Sequence, residues 1–277
     1  MGGRGRSHHA PLLINPFVVD PILKEAASRA AREAGRYILD HLGDVHEIRY
    51  KSEAINLVTE VDQASEAMIV KALEKASPGF GFLGEEMGQK GPTQGRRWII
   101  DPLDGTTNYA HAFPFFCVSI GLEEKGAPIL GIVYDPVRDE LFSGSRGEGA
   151  QLNGKRIAVS QTTDIEKSLL ATGFSYQVRK TGQNLDHFRN FMMVSQAVRR
   201  AGSAALDLCY LACGRFDGFW EFDLQPWDTV AASLIVEEAG GKVSDFQGRP
   251  YSHYQKEILA SNKHLHSAML QVLALKG

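Results

Sequence analysis

The sequence predicts a mixed α/β protein in two lobes, and three observations predict it. The chain has 277 residues, 43% of them hydrophobic, which is enough to bury a large core. Its first half sets two helix-like stretches before a series of β-rich runs, whereas its second half alternates strands and helices. The expected division is a flexible tail over 1–19, an N-terminal α+β lobe over 20–150 and a C-terminal α/β lobe over 151–277.

Composition excludes several classes of function. The formal net charge of −3 offers no basic field for nucleic acid, and no apolar run approaches the roughly 20 residues of a membrane helix. The three cysteines lie in apolar segments, which points to a reducing compartment, the cytoplasm, and not to a disulfide framework. Cys209 and Cys213 share a helix face without a neighbouring His or Cys and read as core packing. The opening, Met1 to His9, is polar and Gly-rich and lacks the apolar core of a secretory signal.

Taken in order, Asp20-Pro21 opens a helix with Asp20 as N-cap, and Gly43 closes it. Leu23, Ala27, Ala30, Ala34, Ile38 and His41 form its core-facing stripe. Two short strands follow, over 47–50 and 57–61, joined by a segment containing Lys51. Asp62 then caps a second helix that runs to Ala76 and stops at Ser77-Pro78-Gly79. Gly79 to Gly84 matches GxGxxG, but the required strand and helix are missing, and Glu85-Glu86 would repel a pyrophosphate. The better reading is a strand over 80–83 that presents Glu85.

The central stretch, Trp98 to Asn108, is an apolar strand that delivers Asp101 and Asp104 before Gly105-Thr106-Thr107-Asn108. Pro102 should end the strand and free the Leu103 carbonyl. Gly105 permits a close backbone approach, and the amides after it suit an anion if a helical turn begins there. Carboxylates beside such amides make sense when divalent cations bridge them to a phosphate. An Asp-Gly turn with a loop-capping Asp101 is the plainer alternative.

Beyond it, runs over 115–121 and 129–134 form a hairpin, 140–143 a further strand, and the Gly-rich 144–154 the boundary region. The second half reads as a strand over 169–172, a helix over 188–198, a helix over 203–213, and a strand over 216–220 with Glu221 at its end. A helix over 229–239 starts at Asp228, strands cover 242–244 and 258–261, and a last helix begins at Ser267. N-capping is the plain reading of Asp228 taken alone.

With these acids in view, the sequence resembles the inositol monophosphatase family over nearly its whole length after the tail. Trp98 to Asn108 carries the first signature, and Trp227-Asp228-Thr229-Val230-Ala231-Ala232 through Glu238-Ala239-Gly240-Gly241 the second. Gly84-Glu85-Glu86 is similar to the upstream acidic element, and Arg199 to Leu208 looks like the bacterial branch. Tyr109 stands where Phe is more usual, a change remote from metal binding.

The resemblance implies a layered α/β/α/β/α sandwich, assembled as a homodimer. It also implies two or three Mg²⁺: Glu85, Asp101 and the Leu103 carbonyl for the first, Asp101, Asp104 and Asp228 for the second, and Glu85 for a weaker third. Gly105, Thr106 and Thr107 would receive the phosphate. Asp104, Ala204, Glu221, Asp228 and Lys51 would meet the substrate, and Asp62 would join Glu85 and Thr106 in catalysis. The implied reaction is hydrolysis of a polyol phosphate monoester, foremost myo-inositol monophosphate, by in-line attack of a metal-activated water, with sensitivity to Li⁺.

An all-oxygen donor set independently favours Mg²⁺ over Zn²⁺. Fructose 1,6-bisphosphate and nucleotide 3′-phosphates are the alternative substrates, and a mainly partner-binding role is the alternative of another class. Neither membrane nor nucleic acid is needed for the expected catalysis.

Overall fold

The structure is a computed structural model that describes residues 19–43, 48–50 and 57–275. Helix α1 (Pro21–Asp40) begins as expected: Asp20 accepts a hydrogen bond from the Ile22 amide, and Pro21 occupies the first turn. Its stripe of Leu23, Ala27, Ala30, Ala34 and Ile38 is buried. Val19, assigned to the tail by sequence, is buried with that core.

Strands β1 (Ile48–Tyr50) and β2 (Leu57–Thr59) pair antiparallel. Helix α2 (Glu60–Ala76) starts two residues before Asp62. Asp62 is therefore not the cap but a buried acid of the first turn, where the helix dipole favours a negative charge.

The first sheet gathers β3 (Gly81–Gly84), β4 (Gly88–Lys90), β5 (Arg96–Asp104), β6 (Cys117–Glu124), β7 (Ala127–Asp135), β8 (Glu140–Ser145), β9 (Gly149–Leu152) and β10 (Lys155–Arg156). Its order is β10-β9-β8-β7-β6-β5-β3-β4. Two expectations need correction here. Pro102 does not end β5, because a register shift between Asp101 and Asp104 lets the strand bulge around the proline and resume pairing at Asp104. The Gly-rich stretch 144–154, expected as the boundary region, belongs to the sheet: Gly147 and Gly154 turn the chain between β8, β9 and β10, and pairing runs on past residue 150.

Short helix α3 (Thr106–Ala110) follows β5. The second sheet, ordered β12-β11-β13-β15-β14, contains β11 (Leu169–Thr172), β12 (Ala197–Arg199), β13 (Gly218–Phe222), β14 (Lys242–Ser244) and β15 (Glu257–Ser261). Its helices are α4 (Val178–Thr181), α5 (Leu185–Met192), α6 (Ala204–Ala212), α7 (Pro226–Glu238) and α8 (His266–Leu273). The helix expected over 188–198 ends instead at Met192, and Ala197–Arg199 pairs parallel to β11 as an edge strand. Strand β13 runs two residues past the expected end, so Glu221 lies within it.

Helices α1 and α2 cover one face of the first sheet, and α7 crosses the other against β5 to β9. Helix α6 packs beside α7 and against the second sheet, whose far face carries α5 and α8. The result is the α/β/α/β/α sandwich.

The close seating of α7 has a local cause. Gly121, Gly131 and Gly144 stand in cross-strand register on β6, β7 and β8, so the sheet offers a track without side chains. A Cβ on Gly131 would lie 2.3 Å from the Ala231 carbonyl oxygen, and one on Gly121 2.5 Å from Val230. Among the described residues no helix is long and apolar enough to cross a membrane.

Candidate active site

Strand pairing builds the first side of the site. β3 runs parallel to β5 with Gly84 opposite Ile100, and the Glu85 amide donates to the Ile100 carbonyl at 3.2 Å. Glu85 thus leaves its strand beside Asp101, although β5 runs on to Asp104 and does not end at Asp101 as expected. Asp101, 2% exposed, accepts from the Leu103 amide at 3.0 Å, which shapes the bulge. The Ser65 hydroxyl holds the Pro102 carbonyl at 3.1 Å.

Gly105 has φ +101°, and a Cβ there would meet Phe115 O at 3.0 Å, so glycine alone fits the turn into α3. The Leu103 carbonyl is not free of partners, because the Thr106 hydroxyl donates to it at 3.2 Å. Asn108 ties α3 to the second half by donating to Phe115 O at 2.7 Å and Ala201 O at 2.8 Å.

The second half closes on this edge. Asp104 Oδ2 accepts from the Ser203 hydroxyl and the Ala205 amide, each at 2.7 Å. Ala204, expected to meet substrate, occupies the same N-terminal turn of α6. Asp228 is the third residue of α7, not its cap. Its Oδ2 accepts from the Gln225 amide at 2.7 Å, completing a capping box. The capping role expected of Asp228 and its place among the acids therefore coexist. Glu221, 7% exposed, abuts Gly173, where a Cβ would fall 2.1 Å from its Oε1.

Burial raises these carboxyls, and their mutual charge adds to it. Asp101 is pushed well up by desolvation, then by Glu85, Asp104, Asp228 and Asp62. Asp104 is raised to about 6 by burial, against the hydrogen bonds from Ser203 and the Ala205 and Ala204 amides. Asp228 is driven well up by burial, Asp104 and Glu85, relieved by the Gln225 amide and a hydrogen bond with Asp101. Glu221 rises through burial, then Asp228 and Asp104, with Arg200 opposing. Glu85, Asp101, Asp104, Asp228 and Glu221 therefore form one electrostatically coupled cluster drawn from both halves of the chain.

Among the described residues, no group of three or more His, Cys, Asp or Glu side chains is already gathered into a metal cage. The donor set itself suits a hard divalent cation, since every candidate ligand is an oxygen. Lys51, expected to flank the site, lies outside the described residues.

The sequence model of the inositol monophosphatase family matches residues 20–275. The chain belongs to this family. It is similar to an inositol-1-monophosphatase of Synechocystis, 44% identical over 252 residues that cover 90% of this chain and 88% of the relative. Nus factor SuhB of Pseudomonas aeruginosa is 45% identical over 255 residues, covering 89% and 94%. The solved structure of an inositol monophosphatase from Anabaena matches with a TM-score of 0.82 at 43% identity, covering 90% of this chain and 94% of that one. The extragenic suppressor protein suhB from Bartonella henselae matches with 0.87 at 41% identity, covering 91% and 98%. The protein is a phosphatase of the inositol monophosphatase family with that family's fold, as its motifs implied.

Sequence reasoning missed several residues that border this candidate site. Ser203 and Gln225 orient Asp104 and Asp228. Tyr176 brings its hydroxyl within 3.5 Å of Thr107 Oγ1, and burial together with Glu85, Asp104 and Asp228 raises its phenol. Asp207 is a buried acid raised by burial and by Glu221 and Asp104. Glu66 is buried on α2 one turn beyond Asp62. Asp62, Ser65 and Glu66 share one face of α2 by their i, i+3, i+4 spacing, but a solvated helix face shows the same pattern.

Proposed function

We propose that this phosphatase hydrolyses a polyol phosphate monoester, with myo-inositol monophosphate as its leading substrate and Mg²⁺ as its cofactor. The observation that carries the reading is the coupled cluster of Glu85, Asp101 and Asp104 from the first half and Asp228 from the second, with Glu85 leaving β3 beside Asp101 and Asp228 hydrogen-bonded to Asp101. Glu85, Asp101, Asp104, Asp228 and the Leu103 carbonyl would hold the cations. Bound cations would supply charge neutralisation at the phosphoryl group and Lewis-acid activation of water.

The chain's own groups do the rest. The amides of Gly105 and Thr106, with Thr107, would orient the phosphate, and the Thr106 hydroxyl with Glu85 and Asp62 would orient the attacking water. Glu221 would accept hydrogen bonds from substrate hydroxyls and, as a buried acid beside Asp228, would disfavour a second phosphate at that end. That argues for a polyol monophosphate over fructose 1,6-bisphosphate or a nucleotide 3′-phosphate. A homodimer, a cytoplasmic location and inhibition by Li⁺ belong to the same reading; the unpaired cysteines support the location.

The test is phosphate release from inositol, sugar and nucleotide monophosphates with Mg²⁺. Inositol monophosphate should be turned over fastest, and Asp101→Asn should lower its turnover by about 10³-fold. A folded Asp101→Asn variant within tenfold of wild type contradicts the reading. A partner-binding role beside catalysis is a second reading, supported by the name Nus factor carried by the Pseudomonas relative. It expects Asp101→Asn to retain protein partners that a pull-down with the wild type recovers.

A further inference from the structure

Glu66 is 3% exposed and contacts the turn that follows β3. Its Oε1 accepts from the Glu86 amide at 3.1 Å, and its Oε2 from the Met87 amide at 2.7 Å. Both oxygens of one carboxylate thus accept from the two peptide units after Glu85. Such charge-assisted bonds are stronger than neutral ones and fix direction as well as distance.

The strand leaves room for this carboxylate only because residue 84 is glycine. A Cβ on Gly84 would lie 2.0 Å from Glu66 Oε1 and 2.9 Å from Met87 Cγ. On its upstream side Glu85 is held by its own amide, which donates to Ile100 at 3.2 Å. Glu85 therefore sits between two anchors, the sheet before it and Glu66 after it. The α2 face that carries Glu66 also carries Ser65, whose hydroxyl holds the Pro102 carbonyl. One helix face supports both the Glu85 turn and the Asp101 bulge.

We infer that Glu66 is a positioning residue: by fixing the 85–87 turn it aims Glu85 at the carboxylate pocket and sets the affinity of the cation that Glu85 would hold. The inference rests on the proposed role of Glu85 as a ligand. Glu66 need not touch cation or substrate. In Glu66→Gln one oxygen still accepts an amide, but the new NH₂ group faces the second N–H, so the turn is released on one side. Gly84→Ala acts from the other partner by displacing the Glu66 carboxylate.

The experiment is calorimetric titration of the metal-free protein with Mg²⁺ for the wild type, Glu66→Gln, Gly84→Ala, the double variant and Glu85→Gln. Melting is recorded without metal, and phosphate release is measured across Mg²⁺ concentrations. Glu66→Gln and Gly84→Ala should each weaken Mg²⁺ binding by about tenfold, at the lower end of what loss of an outer-shell partner costs. The double variant should be no weaker than the worse single one, because both act through one contact. Saturating Mg²⁺ should restore most of kcat with KM unchanged.

Wild-type affinity in Glu66→Gln overturns the inference, as does a drop in metal-free melting with Mg²⁺ affinity intact. If Glu66→Gln does not fold, wild-type affinity in Gly84→Ala overturns it equally. When Glu85→Gln weakens binding and neither of the others does, only the role of Glu66 fails. When Glu85→Gln also binds as wild type, the ligand role of Glu85 fails with it.

Discussion

Ser203 donates its hydroxyl to Asp104 Oδ2 at 2.7 Å, while Ser203 Oγ itself caps α6 by accepting from the Leu206 amide at 3.4 Å. One side chain therefore starts a helix of the second half and orients an acid of the first. Ser203→Ala removes both bonds and leaves Asp104 to the α6 amides. We expect a loss of about 1–2 kcal/mol in denaturant unfolding and a fall in phosphate release of about tenfold. An unchanged unfolding midpoint would show that the hydroxyl contributes neither bond.

The raised carboxyls set a pH dependence for the metal-free protein. Asp104 titrates near 6 in the folded chain and near 3.9 when unfolded, so the folded state binds more protons between those values. Its contribution to stability is full below about pH 4 and is lost as the pH rises through about 6. Asp101, Asp228 and Glu221 shift in the same direction. The metal-free melting temperature should fall between pH 5 and pH 7.5, and Mg²⁺ should offset most of the fall. Melting that rises over this range without metal would contradict the burial of these charges.

The glycine track predicts a remote effect on the site. In Gly131→Ala the new methyl group meets the Ala231 carbonyl oxygen 2.3 Å away, so α7 must lift from the sheet and carry Asp228 with it. Overpacking of this kind costs about 1–3 kcal/mol, and phosphate release should fall although Gly131 touches no substrate. Wild-type activity with wild-type stability would mean that α7 has slack at this point.

Legibility followed distance along the chain. Asp101, Asp104 and Glu85 were readable because an apolar strand running into an acid is a local pattern, and the Gly105 turn follows from residues beside it. Asp228 and Glu221 were reached through the family resemblance alone, since only cross-half packing brings them near Asp104. The bulge at Pro102 escaped because a register shift belongs to the partner strand as much as to β5. Strand β12 was read as helix because three residues at a sheet edge carry too little pattern to distinguish the two. Glu66 and Ser203 looked like ordinary polar residues, and their partners, the Glu86 and Met87 amides for the one and the Asp104 carboxylate for the other, are distant in sequence.

The most direct test of a cross-half metal site is Mg²⁺-dependent melting of the wild type and Asp228→Asn. Asparagine can still accept the Gln225 amide, so the variant keeps the helix cap and removes only the charge. A cation that binds the folded chain alone stabilises it by about 2.7 kcal/mol at a hundredfold excess over its dissociation constant. The melting temperature of the wild type should therefore climb with Mg²⁺, while that of Asp228→Asn should climb far less. Equal Mg²⁺-induced shifts in the two proteins would reduce Asp228 to a helix cap and contradict a metal site built from both halves.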